Sequence, residues 1–193
     1  MKIDKILSNQ VVSTLEELIG SNFRYIGSPN TPDYLVNDNF VIGTDNKCIY
    51  VMGDIDEFDL PNGEEFTASF MVIQPADDAK VKSTIESGNL FLTNQKSLIT
   101  GISIIRETIS AMHEGKETWQ LHSDYALVIH LEAGDLVIRL SSLLIEVMVV
   151  DFLQKADIAN IESLSTGYSD TLFTQYHSTR EILSIDELDG SVS

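Results

Sequence analysis

Apolar and mixed positions alternate most regularly between Tyr125 and Leu140, YALVIHLEAGDLVIRL, and this stretch predicts a β-hairpin. With Ala133-Gly134 as turn centre, Leu131 faces Leu136, Ile129 faces Ile138 and Leu127 faces Leu140. All six share one face, because strand side chains alternate with period two. The other face is mixed, with His130 opposite Val137 and Val128 opposite Arg139. A slip of one residue would mix the faces, so the register is strongly specified. Burying the six side chains contributes roughly 1.5–3 kcal/mol each before entropy is subtracted.

Upstream, Ile6, Leu7, Val11, Leu15, Leu18 and Ile19 recur at helical spacing. They predict an amphipathic helix over about 4–19, capped by Asp4, stopped by Gly20 and packed on a sheet. The period then shortens. Phe23–Ile26, Tyr34–Val36, Phe40–Ile42, Cys48–Met52 and Phe66–Ile73 read as strands joined by the turns GSPNTP, TDNK and PNG. Lys80–Glu86 reads as one or two helical turns, and Leu90–Leu92 as a short strand. Ile99–Ala111, rich in β-branched residues, predicts a long strand bulged near Gly101 or Ile105. Ile145–Phe152 follows the central hairpin as another strand.

The C-terminal residues are less regular. Asp157–Leu164 spaces apolar residues by three, as a short helix would, and Leu172–Tyr176 reads as a strand. Ser178–Glu181 fits a capping box, yet Glu181–Leu188 reads nearly as well as a strand. The expected architecture is α+β: one domain over 1–193, with a mainly antiparallel twisted sheet over about 34–152, the N-terminal helix on it and an extension over 153–193.

Charge narrows the function. Thirty acids stand against twelve Lys and Arg, for a net charge of −18. That excess disfavours nucleic acid and anionic membrane surfaces as partners, since both call for Lys and Arg. It suits solubility, and attraction to a basic protein. With 43% hydrophobic residues the chain is not a disordered acidic tail. Cys48 is the single cysteine, so no intrachain disulfide forms. The N-terminus, MKIDKILSNQVVS, has no apolar signal region, and a cytoplasmic location is expected.

The densest acidic stretch is Asp54–Glu65, DIDEFDLPNGEE, with six acids and no base. Asp54, Asp56, Glu57, Asp59, Glu64 and Glu65 are therefore the candidate contacts for a basic partner. Calcium is the alternative, but the EF-hand pattern fails: the sixth residue from Asp54 is Asp59, not glycine. His122, Asp124 and His130 are proper zinc ligand types, although His122-Ser123-Asp124 also reads as a turn at a strand entrance. Nucleophilic catalysis lacks its local signatures: Gly167-Tyr168-Ser169 has no second glycine, and Cys48 sits within an apolar strand. There is no GxGxxG, P-loop or HExxH. Trp119, the only tryptophan, is expected in the core. No cofactor and no enzymatic activity is expected.

The run Ile99-Thr100-Gly101-Ile102-Ser103-Ile104-Ile105-Arg106, followed by Gly115, Trp119, Asp124 and the ALVIHLEAGDLVIRL hairpin, resembles small acidic bacterial immunity proteins of polymorphic-toxin and contact-dependent inhibition systems. The resemblance implies a non-enzymatic cytoplasmic protein that binds a basic toxin domain and blocks its active site. Another acidic binding module, such as a secretion chaperone or nucleic-acid mimic, is the alternative. A carboxylate- or metal-dependent enzyme is a further one.

Overall fold

The computed structural model describes residues 1–29, 36–60, 63, 65–91, 97–153, 160–165 and 174–188. Its strands are β1 (Lys2–Lys5), β2 (Asn22–Gly27), β3 (Val36–Asn37), β4 (Asn39–Thr44), β5 (Cys48–Asp59), β6 (Glu65–Pro75), β7 (Leu90–Phe91), β8 (Ser97–His113), β9 (Lys116–Leu131), β10 (Gly134–Ser142), β11 (Ile145–Leu153) and β12 (Thr174–Ser184). Three short helices, α1 (Asn9–Glu16), α2 (Asp78–Ser87) and α3 (Ile185–Leu188), complete the described elements. The sheet is mostly antiparallel, in the order β3-β11-β10-β9-β8-β2-β4-β5-β6. Off this path, β1 pairs with β9, β12 with β8 and β7 with β2.

The long β8–β9 pair is the spine. One edge of β9 is shared end to end: Lys2–Lys5 run parallel beside Gln120–Ser123, and β10 pairs with Ala126–Leu131. The outer edge of β8 is shared likewise by β12 and β2. The ladder slips between Ile99 and Gly101, between Ile105 and Arg106, and between Ala111 and Met112. Two of these slips fall where the broken alternation predicts a bulge. Bulges let so long a pair twist without losing its bonds.

The N-terminal expectation is corrected. Residues 2–5 form a strand, because ladder bonds and burial of Ile3 outcompete a marginal helix end. Ser8, not Asp4, caps α1, its hydroxyl accepting from the Val11 amide. The helix ends at Glu16, four residues before Gly20. Val12 and Leu15 are its buried residues.

The sheet is also wider than 34–152, since β1, β2 and β12 join it. The Ser178–Glu181 capping box lies within β12, opposite Ile109–Arg106 of β8, so no helix starts there. Of Asp157–Leu164, residues 157–159 lie outside the described residues, and 160–164 form no α-helix.

The hairpin register differs from expectation by two. Leu131 pairs with Gly134, Ile129 with Leu136 and Leu127 with Ile138, so the turn is Glu132-Ala133. An even shift preserves faces. Leu127, Ile129, Leu136 and Ile138 are fully buried, and Leu131 and Leu140 nearly so. Gly134 explains the change: its φ is +145°, and a Cβ there would lie 2.7 Å from the Leu153 carbonyl oxygen. Glycine is required where β10 passes β11, not within the turn. Trp119 is buried as expected, its ring centroid 4.1 Å from that of Phe66.

Candidate functional site

β5 does not stop at Met52; it runs through the acidic stretch to Asp59. Its partner β6 starts at Glu65, so the acids decorate a two-stranded ribbon rather than a loop. Asp54, Asp56, Glu57, Asp59 and Glu65 are all exposed. Glu64 lies outside the described residues.

Alternation divides the set. Asp54 and Asp56 share one face, where Asp56 pairs with Lys5, whose ammonium also lies over the rings of Phe58 and Phe70. Glu57 and Asp59 take the opposite face, and Glu65 joins them as the cross-strand partner of Asp59. Two carboxylates directly opposite each other destabilise a ladder. The ribbon therefore carries local repulsion that folding alone does not require.

An apolar step adjoins the ribbon. The β10–β11 turn sits against β6: the Ser69 amide donates to the Leu143 carbonyl at 2.8 Å, and the Ser69 hydroxyl to the Ser142 carbonyl at 2.6 Å. At the same junction Gly53 abuts the Glu146 carbonyl. Leu144 and Ile145, between these two contacts, are 48% and 47% exposed. An exposed branched pair thus stands at the root of the ribbon, beside Gly53 and Ser69, flanked by the exposed Glu146.

The zinc reading does not assemble. His122 lies 3.4 Å from Asp4, while Asp124 turns to Arg106. The stretch is mid-strand, not a turn. Among the described residues no group of three or more His, Cys, Asp or Glu is placed to hold a metal ion.

Asp124 is fully buried and takes two bonds from the Arg106 guanidinium, at 2.7 and 3.0 Å, and a third from the Leu7 amide at 2.8 Å. Glu107, 1% exposed, accepts from the Ser163 hydroxyl and from the Leu164 amide at 2.8 Å. These two carboxylates fasten the N-terminal segment and residues 163–164 to the spine.

One constellation escapes sequence reading. His130 pairs with Asp135, not Val137, and its Nδ1 is 2.8 Å from Asp135 Oδ1. Its Nε2 is 2.9 Å from Ser103 Oγ. Ser103 and Asp135 are 9% and 8% exposed. Three neighbouring strands each contribute one member. A carboxylate only accepts, so in the neutral ring Nδ1 carries the hydrogen and Nε2 is left to accept from the serine. The signal was present in the sequence: counting the turn as Glu132-Ala133 places His130 opposite Asp135.

Three phenols titrate late. Burial pushes Tyr125 up to about 12, and it also raises Tyr25 and Tyr50 above the ordinary tyrosine range. A folded value above the unfolded one gives stability that is complete below pH ~10 and lost as pH rises through the folded value. Denaturation midpoints are expected to hold to about pH 10 and fall between pH ~10 and 12. Ultraviolet phenolate titration beside circular dichroism checks this; all six tyrosines ionising together near pH 10 in folded protein would contradict it.

No family model, curated protein or solved structure matches the chain. Among the described residues no helix is long and apolar enough to cross a membrane.

Proposed function

We propose that the protein is a cytoplasmic immunity-type inhibitor that neutralises a basic toxin domain by docking it on the acidic β5–β6 ribbon. The observation that carries the reading is the exposed Leu144–Ile145 pair held against the root of that ribbon. Tight interfaces join a few apolar anchors to a polar rim. Here Glu57, Asp59, Glu65 and Glu146 form the rim, and the net charge of −18 extends their field. The carboxylates steer a cationic partner, and the anchors slow its departure. The Asp59–Glu65 opposition supports the same reading, because a cationic side chain between them removes the repulsion.

The test is association kinetics with a basic toxin domain encoded in the same genome. Reversing Glu57, Asp59 and Glu65 to lysine is expected to cut the low-salt association rate about 10-fold or more. L144A/I145A is expected to raise the dissociation rate with little change in association. All five positions are exposed, so folding is retained. Unchanged rates in both variants, or no complex with the unaltered protein, would refute the proposal.

A further inference from the structure

We propose that Ser103 is a nucleophile that His130 activates and Asp135 positions, and that it takes the acyl group of small apolar esters. The spacing of the three groups is that of a working relay: 2.9 Å from hydroxyl to Nε2 and 2.8 Å from Nδ1 to carboxylate. Local structure holds each member. The Ser97 hydroxyl accepts from the Ala133 amide at 3.1 Å, and the Glu132 amide donates to the Leu98 carbonyl at 3.1 Å. The hairpin turn carrying His130 and Asp135 is thereby fastened to the strand that carries Ser103. The Thr100 hydroxyl adds a bond to the His130 carbonyl at 3.1 Å. Rigid strands with fixed neighbours are the supports a catalytic group needs.

The register assigns the substrate class. Ser103 pairs with Ser184 and Asp135 with Leu153, so Leu153 and Ile182 share the sheet face of the three groups. Both are exposed, at 37% and 45%, on either side of the relay. Four strand spacings, about 19 Å, separate the two, so each offers a short acyl chain its own apolar contact at one end of the relay. His130, with its side chain 28% exposed, lies between them and is reachable from solvent.

The reaction balances without a further reagent. Ser103 Oγ attacks the ester carbonyl carbon as its proton passes to His130 Nε2. The carbon–oxygen bond to the alcohol then breaks, and the imidazolium returns that proton to the leaving alkoxide. Water repeats the sequence: its proton goes to Nε2, its oxygen bonds to the acyl carbon, and Ser103 leaves and is reprotonated. Asp135 touches no reacting atom; it is a positioning residue that holds Nδ1–H.

The experiment is labelling of the full chain by a fluorophosphonate, read by peptide mass spectrometry, alongside release of p-nitrophenol from the acetate and butyrate esters. Ser103 is expected to be the modified residue, and H130Q is expected to lower its labelling rate about 100-fold or more. In D135N the labelling rate falls and the downfield imidazole N–H proton resonance disappears, which a purely structural role would not link. L153A/I182A is expected to remove any preference for butyrate over acetate. S103C provides a second route: iodoacetamide should alkylate it about 10-fold faster than S103C/H130Q. An unmodified Ser103 in folded protein, or labelling and alkylation rates indifferent to H130Q, overturns the proposal. Lysine substitutions on the β5–β6 ribbon leave these rates unchanged, so the test stands apart from toxin binding.

Discussion

Replacing Arg106 with methionine is expected to destabilise the protein by about 3–5 kcal/mol, among the largest effects available to a single substitution. The reason lies with its partner. Asp124 has no solvent access and is held by two guanidinium bonds and the Leu7 amide. Methionine preserves much of the packing but leaves a buried carboxylate with one neutral donor. Removing both charges costs less than the sum of the single changes, because the orphaned ion is gone. R106M, D124L and the double variant in urea unfolding form the cycle. A loss below about 1 kcal/mol in R106M would show that the pair is not what fixes this part of the spine.

Gly53→Val is expected to cost about 3 kcal/mol or more and to lower the melting temperature by about 6–12 °C for a chain of this size. Even the first added carbon would sit 1.9 Å from the Glu146 carbonyl oxygen and 2.6 Å from its carbon. Both are backbone atoms, so relief requires β5 and β11 to separate. Gly101→Ala is the control, since its Cβ would meet only His130 Cδ2, at an ordinary 3.6 Å. It should change stability by under about 1 kcal/mol. Equal thermal shifts in the two variants would mean that the contact at Gly53 yields easily.

Periodicity carried most of the architecture. The faces of the 125–140 hairpin, the long bulged strand from Ile99 and the core position of Trp119 all follow from alternation and residue size. Register and long-range pairing did not follow. Nothing local in Lys2–Lys5 announces a parallel neighbour at Gln120–Ser123, and helical spacing from Ile6 onward favoured extending the helix backwards. The glycine after Ala133 invited a turn placed one residue late, because sequence does not show the Leu153 carbonyl that excludes a side chain there. That displacement hid the facing of His130 and Asp135. Ser103 was further obscured, since it lies 27 residues from the histidine and has no elbow motif around it. The acidic ribbon was legible as composition, but its division into two faces depends on β5 continuing to Asp59.

The parallel seat of β1 also has a consequence for biosynthesis. Lys5 pairs with Ser123, so β1 waits for a partner made 118 residues later (123 − 5). At roughly 5–20 residues per second, that delay is on the order of 6–24 s. Throughout it the β1 segment is without its ladder partner in the nascent chain.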